Sequence, residues 1–295
     1  MKTIGIYGIN GVVGQLMLKE LARMPVKHKV KTFGRNDDKT QKVDIAILCT
    51  DDAVSAELLP VVKEQAGFII DMSAKYRMEE GVPLVIPEVN AQTITKDTRL
   101  IASPNCTITG LTMALNALKN DYTIEEAFFC SYQAISGGGK KLLEDYRSPK
   151  SRCRENCVPL IGSLQENDYT SEEMKSINET RKILDMPDIK VRPHTVRVSV
   201  ETGHSLGVTI RAKEAFDLGM VTSLLTKQPG LVYTGEIYTP KEIAGTDGVY
   251  ISRLRLDAED RNILHMWITF DNLLKGAALN GRQIAQYLLE NFLND

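Results

Sequence analysis

Histidine and tryptophan are scarce in this 295-residue chain, which has four of the first and one of the second. There are five cysteines, an odd count without a dense framework, so a disulfide scaffold is not expected. Cys153 and Cys157 stand close in sequence, but no second pair or histidine cluster completes a metal site, and no metal is expected. Reduced thiols of this kind suit a cytoplasmic setting. Charge of either sign is not in excess: the formal net charge is −2. That balance argues against nucleic acid or an anionic membrane as partner. No apolar run approaches the roughly 20 residues of a membrane span. A strand pattern begins at Thr3, which leaves no room for a secretory leader.

What remains is an ordinary globular composition, 43% hydrophobic and 25% charged, with a length that suits one large or two modest domains. Short apolar strands are expected at 3–7, 29–33, 44–50, 68–72 and 100–102, with helices at 15–23 and 53–65. Strands alternating with helices imply parallel βαβ units. After a helix at 107–120 the pattern changes. Strands are expected at 127–134, 195–200, 206–212, 249–256 and 262–270, with a loop from about 137 to 165 and a helix at 171–184. This part reads as a mixed, largely antiparallel sheet with helices on one face. An amphipathic helix over 272–293 closes the chain. The fold class is therefore α/β: a Rossmann-like parallel sheet from residues 1–106 and 272–295, and an α+β catalytic and dimerisation domain from 107–271.

The first strand runs into Gly8-Ile9-Asn10-Gly11-Val12-Val13-Gly14, and a helix follows. Glycines at such a turn let the backbone approach a pyrophosphate, which sits on the helix N-terminus. The loop, with Gly8, Asn10, Gly11, Val12, Val13 and Gly14, is the candidate dinucleotide site. About 20 residues further on, where an acid would bind the ribose hydroxyls of NAD, stands Arg35. Arginine suits a 2′-phosphate and favours NADP, with NAD left open because Asp37 and Asp38 follow.

Cys106 lies in Ala-Ser-Pro-Asn-Cys-Thr-Ile-Thr-Gly, a turn that opens a helix. Unpaired N–H groups and the positive end of the helix dipole favour thiolate there, and thiolate attacks carbonyls. A nucleophile needs a base. His204, beside Gly203 at a strand–turn junction, can approach a substrate and titrate near neutral pH. Arg197 precedes it and offers a two-pronged grip on a carboxylate. The backbone N–H groups around Cys106 are the expected oxyanion donors.

Several phrases together resemble the aspartate-β-semialdehyde dehydrogenase family. They are Ser103-Pro104-Asn105-Cys106-Thr107, the run from Ser131 to Gly139, Val196-Arg197-Val198 with Gly203-His204-Ser205, and the run from Asp271 to Ala278. Val82 to Asn90 and Asn167 to Lys175 also match, and the phrases occur in the family's order over most of the chain. The resemblance implies NADPH-dependent reductive dephosphorylation of L-4-aspartyl phosphate to L-aspartate 4-semialdehyde, in lysine, threonine and methionine biosynthesis. It implies Cys106 as nucleophile, His204 as acid–base and Gln133 as orienter of the thioacyl intermediate. Arg197 would bind the substrate α-carboxylate, Glu172 its amino group, and Arg77 and Lys175 the phosphate, with Asn105 also at the substrate. Gly137, Asn280 and Gln283 would contact the cofactor. A small-molecule substrate, inorganic phosphate and a homodimer or homotetramer are the implied partners.

Two departures from the family pattern stand out. The segment between Arg35 and Asp44 is short, and so is that between Gly139 and the run Asn156 to Pro159. N-acetylglutamyl-phosphate reductase shares the cysteine–histidine logic but usually carries glycine where this chain has Asn105. A catalytically idle nucleotide-binding paralogue would have lost residues that this chain keeps.

Overall fold

The computed structural model describes residues 1–293, so the last two positions of the expected dinucleotide-binding segment lie outside the described residues. The chain forms two compact units, Met1–Pro104 with the segment from Ala277 onward, and Asn105–Gly276. The boundaries expected from the sequence lie after Cys106 and before Asn272. The cuts fall elsewhere because Cys106 begins a helix of the second unit and Gly276 packs against it.

In the first unit β1 (Thr3–Tyr7), α1 (Val12–Ala22), β2 (Lys29–Phe33), β3 (Val43–Leu48), α2 (Asp52–Lys63), β4 (Ala66–Asp71), α3 (Pro87–Asn90) and β5 (Leu100–Ala102) follow in turn. All strand pairings are parallel, in the order β2-β1-β3-β4-β5. The chain leaves β1 toward one edge and returns on its other side at β3. That reversal opens a crevice at the carboxyl ends of β1 and β3, where such sheets take ligands. Ile4, Ile6, Ile45, Ile47, Ile70 and Ile101 form the core with Met17 and Leu21 of α1. The C-terminal helix, Leu279–Asn291, closes it with Ile284 and Leu288.

The second unit runs α4 (Cys106–Leu118), β6 (Ile124–Gln133), α5 (Gly139–Tyr146), β7 (Cys157–Val158), α6 (Ser171–Leu184), β8 (Lys190–Val198), β9 (His204–Ala212), α7 (Leu218–Lys227), β10 (Leu231–Tyr233), α8 (Pro240–Ile243), β11 (Val249–Leu256) and β12 (Ile263–Phe270). Its seven-stranded sheet has the order β10-β11-β12-β9-β6-β8-β7. Pairings β10–β11 and β6–β8 are parallel and the rest antiparallel, as the alternating strands implied. Along β6 Ala127, Phe129, Ser131 and Gln133 are buried, while Phe128 and Tyr132 on the other face are exposed. Tyr132 rests on Trp267 of β12 at 5.2 Å between ring centres.

Two expected elements differ. The stretch read as a loop from 137 to 165 holds α5 and β7. Leu142, Leu143 and Tyr146 of α5 pack on Ile135, Cys153 and Val158, and that packing stabilises a helix whose sequence shows little signal. The closing helix does not begin at Asn272. Asp271 accepts the N–H groups of Leu273 and Leu274 at 2.8 and 3.0 Å, and a π-helical turn spans Leu274–Ala278 before the α-helix starts.

Candidate active site

Cys106 is the first residue of α4, and Asn105 is its N-cap, with Oδ1 accepting Thr107 N–H at 2.7 Å. Ser103-Pro104 breaks the preceding strand, so the thiol sits where the helix dipole and unpaired N–H groups are strongest. Gly276 lies directly against it: a Cβ there would stand 2.7 Å from Cys106 Cβ. His204 approaches from the start of β9, with Nε2 3.3 Å from Cys106 Sγ. Sequence reasoning paired these residues, and the fold joins them across 98 positions of chain.

The protonation of His204 departs from the sequence expectation. Its side chain is fully buried, and its pKa falls to about 3. Burial is the larger cause and the Arg197 charge the smaller. The ring is therefore neutral at physiological pH. Nδ1 accepts the backbone N–H of Ala134 at 3.0 Å. The carbonyl of the same residue takes Arg197 Nη1 at 2.6 Å. Burial holds Arg197 below the usual guanidinium range, opposed by Cys106 and Glu172. Gly137 packs on both side chains; a Cβ there would lie 3.0 Å from Arg197 Nη1 and 3.1 Å from His204 Cε1.

Beside the thiol, Glu172 Oε1 accepts from Asn105 Nδ2 at 3.0 Å, Thr107 Oγ1 at 3.1 Å and Gln133 Nε2 at 3.2 Å. Asn105, Gln133 and Glu172 are thus one buried, hydrogen-bonded cluster that includes the residue before Cys106. Lys175 is on the same first turns of α6, and its ammonium has no hydrogen bond or ion pair among the described residues. Glu179, one heptad beyond Glu172, takes the Asn105 N–H at 2.7 Å. Of the backbone N–H groups around Cys106 expected as oxyanion donors, those of Asn105 and Thr107 have partners within the fold.

In the first unit, Gly8 has φ +84°, and a Cβ there would meet Cys49 O at 2.5 Å. The loop is closed by Gly11 N–H donating to Gly8 O at 3.0 Å. Gly8, Asn10, Gly11, Arg35 and Lys39 line a cavity of about 1010 Å³ above the β1–β3 crevice. Val12 and Val13 form the first turn of α1, and Gly14 gives it close contact with Gly8. Asp37 is turned onto the Gly34 N–H at 2.6 Å, and Asp38 onto Thr40 at 2.6 and 2.9 Å. Arg77 is buried, with Nε on Ser103 O at 2.9 Å and Nη2 on Met72 O at 3.3 Å. Asn280 donates to Val85 O and Ser103 Oγ, both at 3.0 Å, and its buried Oδ1 has no partner among the described residues. Gln283 donates to Glu88 at 2.7 Å.

Two family descriptions match the chain: the semialdehyde dehydrogenase dimerisation domain over residues 115–275 and the NAD binding domain over 23–97. Aspartate-semialdehyde dehydrogenase of Bacillus subtilis is 30% identical over 334 aligned positions, covering 97% of this chain and 96% of that protein. The Rickettsia conorii enzyme of the same name is 36% identical, with 85% and 80% covered. The chain belongs to the aspartate-semialdehyde dehydrogenase family. A crystal structure of aspartate semialdehyde dehydrogenase II from Vibrio cholerae, complexed with ASA, matches it with a TM-score of 0.91 at 28% identity, 99% of both chains covered. An alignment of 334 positions exceeds the 295 residues of this chain, so the Bacillus protein carries stretches without a counterpart here.

Against that family background, the motifs missed Lys39, Glu179, Ala134 and Asn272. Asn272 Oδ1 accepts Gly203 N–H at 2.9 Å and Ser136 Oγ at 3.2 Å, which ties together the turns beside His204 and Gly137. Its position in the Asp271–Ala278 phrase was the available signal. Lys39 was detectable as a cation near Arg35. Nothing in the sequence marks Ala134, because it acts through its peptide group.

Proposed function

We propose that this chain catalyses NADPH-dependent reductive dephosphorylation of L-4-aspartyl phosphate to L-aspartate 4-semialdehyde, through a thioester on Cys106. The observation that carries this reading is the Cys106–His204 pair at 3.3 Å, at a helix N-terminus and beside a buried arginine. Cys106 thiolate attacks the acyl carbon, and phosphate leaves. Lys175, unpartnered on α6, takes the leaving phosphate. Arg77 shares that assignment through the family motif alone. Arg197 binds the α-carboxylate with the N–H groups that Ala134 leaves open. Glu172 keeps Oε2 for the substrate ammonium, since its three donors all reach Oε1. Gln133 and Asn105 hold that carboxylate in place.

The residues fit a nicotinamide nucleotide. The orphaned buried acceptor on Asn280 suits a carboxamide N–H, and the glycine loop suits a pyrophosphate. The nucleotide, when bound, supplies hydride to the thioester. Arg35 and Lys39 favour NADP, because Asp37 and Asp38 spend their carboxylates on local N–H and hydroxyl groups. The exposed aromatic face of the second sheet, with Phe128 and Tyr132, suits cover by a second copy, so a homodimer or homotetramer is part of the reading. No helix among the described residues is long and apolar enough to cross a membrane, and no disulfide joins any of the five cysteines. Both facts are compatible with a biosynthetic enzyme of the cytoplasm.

The test is phosphate-dependent reduction of NADP by aspartate semialdehyde, with NAD in parallel. Faster turnover with NADP is expected, with the preference reduced in Lys39→Ala. Absence of turnover with either nucleotide would overturn the assignment.

A further inference from the structure

Asn272 lies just past the end of β12 and is 2% exposed. Its Oδ1 accepts the Gly203 N–H at 2.9 Å, and its Nδ2 and Oδ1 stand 3.0 and 3.2 Å from Ser136 Oγ. Gly203 immediately precedes His204 at the start of β9, and Ser136 immediately precedes Gly137 in the turn after β6. In the sheet β9 lies between β12 and β6. One amide therefore joins the ends of three strands, over the roughly 10 Å that two strand spacings cover. We infer that Asn272 is a positioning residue of the reaction: it clamps the Ser136–Gly137 turn to the Gly203–His204 turn and so holds the carboxylate grip of Arg197 in register with Cys106. This rests on the aspartyl-phosphate reading above.

The closeness of the parts shows what the clamp controls. Gly137 packs on Arg197 and His204 together: a Cβ there would stand 3.0 Å from Arg197 Nη1 and 3.1 Å from His204 Cε1. Backbone bonds hold one side of this turn, with Ile135 N–H on Val200 O at 2.8 Å and Ser136 N–H on Glu201 O at 3.0 Å. Asn272 carries the attachment two residues further, to Gly203. Gly203 has φ +95°, and a Cβ there would meet Pro240 Cβ at 2.9 Å, so the peptide before His204 has little room to turn. An asparagine suits both ends. A backbone N–H only donates, so Gly203 takes the amide oxygen and leaves the amide N–H to donate to Ser136 Oγ. Its neighbour Asp271 is committed elsewhere, accepting from Gly245, Leu273 and Leu274 at the start of the turn that lays Gly276 on Cys106. Asp271 thus serves the turn that meets the thiol, and Asn272 the two turns that meet Arg197 and His204.

Groups that must act together on one substrate are sensitive to small displacements: a misplacement of about 1 Å can cost about a hundredfold in rate. Without the amide, the buried Gly203 N–H and Ser136 hydroxyl lose their partner, and the two turns keep only the backbone bonds at Ile135 and Ser136. Gly137 is then free to drift from Arg197. One prong of that guanidinium is anchored on Ala134 O at 2.6 Å, and the packing of Gly137 is what aims the other at the α-carboxylate. Aspartate at the same position preserves the clamp. Ionised, it accepts from the Gly203 N–H and from the Ser136 hydroxyl; protonated, it matches the amide in shape and still donates to Ser136. No bond-making step is assigned to Asn272, which acts through Gly203 and Ser136.

The experiment compares Asn272→Ala, Asn272→Asp, Ser136→Ala and the Asn272→Ala/Ser136→Ala double variant with the parent, all as full chains. In phosphate-dependent reduction of NADP, Asn272→Ala should raise KM for aspartate semialdehyde about tenfold and lower kcat about tenfold. Asn272→Asp should recover most of both losses, which a residue needed only for its bulk would not do. Ser136→Ala keeps the Gly203 contact and should lower kcat/KM about fivefold, the factor of one ordinary hydrogen bond, so it tests the clamp even if Asn272→Ala does not fold. The double variant should match Asn272→Ala alone, because the two changes remove one connection. Parent kinetics in Asn272→Ala or Ser136→Ala, additive losses in the double variant, or an Asp variant no better than the Ala variant would overturn the inference. Alkylation of Cys106 by iodoacetamide tests the clamp without substrate. It should slow at least about threefold in Asn272→Ala and recover in Asn272→Asp; the parent rate in Asn272→Ala would count against the clamp. A parent chain that fails the phosphate-dependent assay, yet whose alkylation depends on Asn272 in this way, would refute the enzymatic reading and leave the clamp standing.

Discussion

At the scale of single residues, Cys106 and Arg197 make the sharpest demands. If Cys106 forms the covalent bond, Cys106→Ala should abolish turnover while the nucleotide still binds, because the glycine loop belongs to the other unit. Initial rates and nucleotide fluorescence titration measure the two quantities separately; turnover near the parent rate would end the thioester scheme. Arg197 offers a fork of which one prong is held by Ala134 O at 2.6 Å. In Arg197→Lys a single ammonium must replace both the anchor and the grip. KM for aspartate semialdehyde should rise at least about tenfold, the loss expected of one charge-assisted hydrogen bond. An unchanged KM would move the carboxylate elsewhere. Both residues were legible in the sequence, since their types and phrases point to their chemistry. The protonation of His204 was not. It depends on burial, on Arg197 and on the direction of one peptide N–H, and none of these is written in a side-chain identity.

At the scale of elements, α6 determines how α4 presents the thiol. Glu172 and Glu179 lie on one face of α6, and both carboxylates reach the N-terminus of α4, where negative charge is favourable. Removing Glu179 strands the buried Asn105 N–H. Glu179→Ala should therefore cost about 1–3 kcal/mol in urea unfolding, and slow alkylation of Cys106 as its turn loosens. A variant with parent stability and parent alkylation rate would show that the contact does nothing for the site. Elements were legible where periodicity or a strong cap marks them, as with α6 and its Thr170–Glu173 capping box. They were hidden where tertiary contacts supply the order. Pro193 disguised the first half of β8; β7 pairs with β8 only at Arg197 and Val198, so the rest is an edge that tolerates proline. Helix α7, strand β10 and helix α8 occupy a stretch without clear alternation, and each is short.

For the whole molecule, the buried neutral histidine makes stability depend on pH. In the unfolded chain His204 takes up a proton near pH 6.5, whereas in the folded chain it does so only at about pH 3. Between those values the unfolded state binds the extra proton, so stability falls as pH falls. The slope is about 1.4 kcal/mol per pH unit, which makes the loss roughly 2 kcal/mol by pH 5. The carboxylates with lowered pKa, Asp38, Glu214, Glu242, Asp257 and Asp260, are exposed and begin to matter only at more acidic pH. Urea midpoints of the parent chain and of His204→Asn at neutral pH and near pH 5 separate the contribution. The parent should lose about 2 kcal/mol more than the variant over that interval. Equal losses would mean that His204 is protonated in the fold, and the neutral ring would fall with it.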